Sequence, residues 1–198
     1  MAVSVTRYIN KLTSRQQEGR AANAIAELLA RTLSVPNIYL EPHSGRAGTD
    51  VLAVDRAGSG DLHGVEIKIG KDLCGFQAKN PSSTAELNRL HRDWLKAFRK
   101  EVSTIWKRLM SLPVHYKYLA VPEGALDMVL GEIAPHLYSP DGIGRIGIIS
   151  VFDRGDEPPK AKVIITPERF RVDGAALTRI ERDLIANPKI RPDIEVRI

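Results

Sequence analysis

The most restrictive feature of the sequence is a long amphipathic helix predicted over residues 84–110. Apolar residues recur there every three or four positions, the spacing that lines one face of an α-helix. Ser83 and Glu86 have the spacing of a capping box, which indicates where the helix begins, and Pro113 follows its end. We assign the apolar stripe to the core; its members are Leu87, Leu90, Trp94, Phe98, Val102, Ile105 and Leu109.

Short apolar runs on both sides of this helix predict strands. Residues 50–55 and 63–69 flank the sequence Gly58-Ser59-Gly60, which is typical of a hairpin turn, so these two strands are expected to pair antiparallel. The other predicted elements are a helix at 14–33, strands at 37–40, 116–121, 146–152 and 161–165, helices at 125–133 and 174–186, and an edge strand at 193–198.

The order helix, three strands, long helix, strand predicts an α/β fold with a central mixed β-sheet flanked by helices. The αβββαβ core of this fold is expected over about residues 15–121, and residues 122–198 add further strands and a helix. A length of 198 residues suits a single domain, 1–198, with a substantial core.

Composition limits the classes of function. No apolar run approaches the roughly 20 residues that a membrane helix needs, and the N-terminus lacks the apolar stretch of a secretory signal. The single cysteine, Cys74, cannot form an internal disulfide, which favours a reducing, cytoplasmic setting. The formal charge of +5 and the pI of about 9.4 favour a polyanionic partner.

Three charged residues are expected to meet at one edge of the sheet. Side chains alternate along a strand, so Glu66 and Lys68 share a face, and the hairpin brings Asp50 back towards them. Placing two carboxylates and an ammonium beside apolar strands is costly unless they bind something, and oxygen ligands suit magnesium. A magnesium ion held by Asp50, Glu66 and the Ile67 carbonyl would polarise a phosphoryl oxygen, and Lys68 would position the attacking water and the phosphate.

With its element order, the motif Asp50, Glu66-Ile67-Lys68 resembles the PD-(D/E)XK nuclease superfamily, over roughly residues 15 to 121. That superfamily includes restriction endonucleases, Holliday-junction resolvases and repair nucleases; Thr49 stands where its name has proline. The resemblance implies a restriction-endonuclease-like fold and a magnesium-dependent DNA endonuclease of restriction or repair type, with manganese as an alternative metal. Symmetric cutting of both DNA strands would favour a homodimer.

The superfamily often adds an acid from the first helix, and two residues qualify here. Glu27 lies at a suitable distance before the Asp50 strand and is preferred as the fourth catalytic residue. Glu18 lies on the apolar stripe of that helix, one and two turns before Ala22 and Ile25. Either glutamate is equally well explained as a solvated helix position.

Other polar residues are weaker candidates. His43, Ser44 and Arg46 precede the Asp50 strand, Gln77 follows Lys68 by nine residues, and Asp55 and His63 lie on the two strands; a structural or exposed role is favoured for each. The long helix carries seven basic residues against three acids, a net charge of +4 that suits a phosphate backbone or a solvated face. The basic residues are Arg89, Arg92, Lys96, Arg99, Lys100, Lys107 and Arg108.

Two other functions stay open. One is a nucleic-acid-binding or assembly module that retains the nuclease fold without turnover, although three unmatched charges serve no purpose in an inactive site. The other is a metal-dependent enzyme acting on a different phosphate substrate. The basic charge and the lack of a nucleotide-binding loop count against this second alternative.

Overall fold

The computed structural model describes residues 14–33, 36–40, 49–55, 60–68, 83–137, 144–152, 158–186 and 194–195. The first half contains α1 (Ser14–Thr32), β1 (Pro36–Leu40), β2 (Val51–Asp55), β3 (Leu62–Ile67) and α2 (Thr84–Ser111). The second half contains β4 (Tyr116–Pro122), a 3₁₀ turn (Glu123–Ala125), α3 (Leu126–Ile133), a second 3₁₀ turn (Ala134–His136), β5 (Gly147–Phe152), β6 (Lys160–Ile165), α4 (Gly174–Ala186) and β7 (Ile194–Glu195).

One seven-stranded mixed sheet organises these elements, in the order β6-β5-β4-β3-β2-β1-β7. Strands β3, β4 and β5 run parallel, whereas the remaining neighbours, including the β2–β3 pair, are antiparallel. The predicted α/β class, its αβββαβ order and the antiparallel β2–β3 pairing are therefore confirmed. Residues 56–59 of the predicted hairpin turn lie outside the described residues, but the adjoining Gly60 has a φ of 73°, which a glycine adopts readily.

Helices cover both faces of the sheet. The apolar face of α2 packs with α3 and α4 against one face, where Phe98, Val102 and Leu109 join the core. Helix α1 packs against the other face through Ile25 and Leu29. Because the central strand β3 is covered on both sides, it is buried along its whole length. The capping prediction is also confirmed, since the Ser83 hydroxyl accepts a hydrogen bond from the Glu86 N–H at 3.2 Å. The side chains of Leu87 and Trp94 lie outside the described ones.

A polar cluster lies at the amino ends of the parallel strands β3 and β4. Asp61 precedes β3, is 5% exposed, and accepts hydrogen bonds from the Arg169 guanidinium at 2.9 and 3.2 Å. His115 precedes β4, and its Nδ1 accepts from the Leu62 N–H at 3.0 Å. These contacts join the segment before α4 to the start of the central strands.

Within the part of the chain that the structure describes, no helix is both long enough and apolar enough to cross a membrane.

Candidate metal and phosphate site

Asp50 lies directly before β2 and forms hydrogen bonds with the backbone of the residues before and after Glu66. The β2–β3 register pairs Val51 with Val65, so continuing it places Asp50 beside Glu66. The Asp50 N–H donates to the Val65 carbonyl at 2.9 Å, and its Oδ2 accepts from the Ile67 N–H at 2.6 Å. A hydrogen bond to a carboxylate is among the stronger ones in proteins, so this arrangement fixes Asp50 at the carboxyl end of β3.

Glu66 is a buried carboxylate, with only 1% of its side chain exposed. Lys68 Nζ and Arg108 Nη1 each lie 3.1 Å from Glu66 Oε1, close enough for ion pairs. Burial raises the pKa of Glu66 and the neighbouring Asp50 carboxylate raises it further, whereas Lys68 and Arg108 oppose the change. The net result is a raised pKa, so the charged form of this carboxylate is more costly here than in water.

Neither Glu66 oxygen forms a well-oriented hydrogen bond with the described residues, although two cations lie close to Oε1. A buried polar atom is normally satisfied by a directed partner, and exceptions often mark a site that binds an ion or water. Asp50 and Glu66 with the Ile67 carbonyl would offer oxygen donors at one place. This donor set suits a hard divalent cation better than a soft one.

The described residues contain no group of three His, Cys, Asp or Glu side chains placed to hold a metal ion. A metal here would rely on two carboxylates and a main-chain carbonyl, with water or substrate oxygens completing the shell. Magnesium is commonly bound in this way, through one or two carboxylates plus waters and substrate phosphates. The predicted ligands, Asp50, Glu66 and the Ile67 carbonyl, therefore suit a magnesium ion that keeps several waters. They suit a metal ion enclosed entirely by protein ligands poorly.

Lys68 connects this buried site to solvent. Its backbone N–H donates to the Ala120 carbonyl at 2.9 Å, which fixes the chain at the end of β3 next to β4. Its side chain is 27% exposed, whereas that of Glu66 is almost completely covered. The ammonium is thus held between a buried carboxylate and the protein surface, where an anionic ligand can reach it.

The structure does not bring Glu27, the preferred fourth acid, to these residues. Glu27 lies on α1, which packs on the opposite sheet face, and its side chain is 60% exposed. Its Oε2 lies 3.5 Å from an Arg31 guanidinium nitrogen one helical turn later. Glu18 is half-buried on the same helix. Glu27 is therefore a solvated helix residue, the alternative that its sequence position had left equally open.

Asp55 lies at the end of β2 away from Asp50, about 17 Å along the strand, and His63 lies three residues before Glu66, about 10 Å along β3. The His63 ring stacks on Tyr116 at a centroid distance of 4.5 Å and is buried. Its structural role agrees with the interpretation favoured from the sequence. His43, Ser44, Arg46 and Gln77 lie outside the described residues.

Arg108 is the site residue that sequence reasoning did not single out. It lies in the last turn of α2, whose rotation over the sheet turns its side chain towards Glu66. A cation in the last helical turn also interacts favourably with the helix dipole. The available signal was its place at the border of the apolar stripe, next to the buried Leu109.

Comparison with known proteins adds no functional information to this geometry. No family model matches the chain, and no curated protein matches it. A solved structure, the SPO1766 protein of unknown function from Silicibacter pomeroyi, aligns over 91% of this chain and 98% of that chain. The identity between the two is 13% and the TM-score is 0.41.

Proposed function

We propose that the chain is a magnesium-dependent nuclease that hydrolyses phosphodiester bonds in DNA. The observation that carries this proposal is the buried Glu66 carboxylate, which lies beside Asp50 and within 3.1 Å of Lys68 at the carboxyl end of β3. A costly arrangement of charge with poorly satisfied oxygens is more often kept for ligand binding than for stability. A cytoplasmic location, as expected from the sequence, suits this function.

Each of the three residues has a distinct role in the proposed reaction. Asp50 and Glu66, with the Ile67 carbonyl, would hold the magnesium ion, which when bound supplies Lewis acidity and a more acidic water. Asp50 is already oriented by its hydrogen bond from the Ile67 N–H. Lys68 places a positive charge beside Glu66 and towards solvent, where it orients the scissile phosphate and offsets the negative charge that develops during attack.

The outer surface of α2 supports DNA as the substrate. Arg89, Arg92, Lys96 and Lys100 are exposed and lie on the side of the helix opposite its buried stripe. The eleven helical steps from Arg89 to Lys100 span about 16 Å, enough to meet several phosphates along a duplex. The same helix carries Arg108 into the site, so a backbone bound along α2 would lead towards Glu66.

A second candidate function is nucleic-acid binding without cleavage. The observation that favours it is that Lys68 and Arg108 already neutralise the Glu66 charge, so this carboxylate has counter-ions without a metal. DNA binding in the absence of magnesium-dependent cleavage would support this alternative.

Cleavage of supercoiled plasmid by the purified protein tests the proposal. We expect nicking in Mg²⁺ or Mn²⁺ and none in EDTA, and we expect Asp50→Asn and Lys68→Met to lose at least about 100-fold in rate, as is typical for removing an electrostatic catalytic group. The matched control is Glu27→Gln, which removes an exposed acid from α1. Equal cleavage by wild type and both site variants would refute the assignment.

Parallel reactions with single-stranded, duplex, flap and junction DNA of one sequence identify the preferred substrate. Duplicate reactions with RNA of that sequence test the choice of nucleic acid. Simultaneous cutting of both duplex strands would point to a homodimer, which size-exclusion chromatography with light scattering can check directly.

A further inference from the structure

The ion pair between Arg108 and Glu66 joins two very different environments. The Glu66 side chain is 1% exposed, whereas the Arg108 side chain is 51% exposed and comes from the last turn of α2. Lys68 shares the same carboxylate oxygen, also at 3.1 Å. One buried oxygen therefore has two cationic partners, of which one comes from a distant helix.

A divalent cation bound at Glu66 would lie close to both of these cationic partners of Oε1 and would be repelled by them. A metal ion and a guanidinium next to the same oxygen repel one another, and this repulsion is strong in a partly buried setting. Lys68 is two residues from Glu66 and its backbone is fixed to Ala120, so its ammonium stays near the site. The Arg108 side chain is half exposed, so it can extend into solvent once its ion pair with Glu66 is broken.

The chemistry of the guanidinium indicates where Arg108 would go. A planar guanidinium binds phosphate oxygens through two parallel hydrogen bonds, and its charge persists at any physiological pH. From its position beside Glu66, a short movement outwards brings it to the phosphodiester that Lys68 is proposed to orient.

We propose that Arg108 is an exchangeable counter-ion: it neutralises Glu66 when the metal is absent and binds the substrate phosphate when the metal enters. This inference rests on the proposed function and adds a regulation to it. Metal and DNA then bind with positive coupling. A phosphate that binds Arg108 draws the guanidinium away from Glu66, and this removes a charge that opposes metal binding. By linkage, each ligand strengthens the binding of the other.

Mn²⁺ binding by the full chain, followed by electron paramagnetic resonance without DNA, tests this role independently of cleavage. Arg108→Met should bind Mn²⁺ at least about tenfold more tightly than wild type, since a competing charge is removed. Lys107→Met is the matched control, because it removes an exposed charge whose ammonium lies over the Trp106 ring, 5.8 Å from the centroid. We expect it to bind Mn²⁺ as wild type does.

A short DNA duplex provides the second measurement, in Ca²⁺ by calorimetry so that hydrolysis is suppressed. The duplex should tighten Ca²⁺ binding to wild type and to Lys107→Met, and it should have little effect on Ca²⁺ binding to Arg108→Met. Arg108→Gln serves as a second variant, and circular dichroism confirms that each protein is folded.

The outcomes separate this inference from the proposed function. If wild type binds Mn²⁺ and Arg108→Met binds it equally or more weakly than Lys107→Met, the exchange role is wrong and the nuclease proposal survives. If folded wild type and all variants bind no Mn²⁺ at millimolar concentration, both proposals fail.

Discussion

His63 should make the protein less stable in mild acid. Its ring is buried between elements, stacked on Tyr116, with Nδ1 3.4 Å from the Tyr118 hydroxyl. Burial lowers the pKa of His63 from 6.5 to about 4; Asp55 and Asp61 act in the opposite direction, and His115 lowers it further. The native protein therefore keeps this histidine neutral at a pH where an unfolded chain would protonate it.

The sign and size of the effect follow from that difference. Between pH 6.5 and about 4 the unfolded chain binds more protons than the native one, so the free energy of unfolding falls as the pH falls. The full difference corresponds to ~3 kcal/mol, and at pH 5 about 2 kcal/mol of it has been lost. Above pH 7.5 the contribution is constant, because the ring is neutral in both states.

Urea unfolding at pH 7.5 and pH 5 measures this loss, with His63→Phe as the matched variant. Phenylalanine preserves a flat ring against Tyr116 but does not titrate, whereas Asp55, Asp61 and His115 remain in both proteins. Wild type should lose ~2 kcal/mol more than the variant on acidification. Parallel pH profiles for the two proteins would refute the reasoning.

Three further substitutions test separate features. Gly64→Ala places a Cβ 2.8 Å from Thr49 Cγ2, so unfolding in urea should show a loss of ~1–3 kcal/mol, and an unchanged midpoint would contradict this packing. Asp61→Asn weakens the hydrogen-bonded ion pair with Arg169; because the Arg169 side chain is 51% exposed, a double-mutant cycle should give a coupling of only ~1 kcal/mol. Glu27→Gln should leave Mn²⁺ affinity unchanged, and a clear loss of affinity would return that acid to the site.

Local sequence patterns were sufficient to predict the fold and the proximity of Asp50, Glu66 and Lys68. A glycine-containing turn between two short apolar runs predicts an antiparallel hairpin, and the hairpin alone places Asp50 near Glu66. These three residues lie on two strands joined by a single turn, so the alternation of side chains along the strands was sufficient to predict that they meet. Mg²⁺ binding and DNA cleavage remain predictions that the experiments above address.

Contacts between distant elements were not predictable in the same way. Arg108 lies at the border of the apolar stripe, but its contact with Glu66 depends on where α2 crosses the sheet, and no local pattern specifies that position. The partners of His63 come from β4, through a parallel register set by the whole sheet. Glu27 is a different case: its helical phase places it away from the stripe of Ala22, Ile25 and Leu29, and only its distance along the chain favoured it as a site residue.

The separation of the two charged clusters along β3 and β4 bears on how this chain can change over evolution or in the laboratory. Asp61, Arg169 and His115 stabilise the amino ends of the strands, whereas Asp50, Glu66 and Lys68 occupy the carboxyl end. Several covered strand residues lie between them, so a substitution at one end is far enough from the other for its energetic effects to add independently. Substitutions at the carboxyl end can thus be selected without weakening the contacts at the amino ends of the strands.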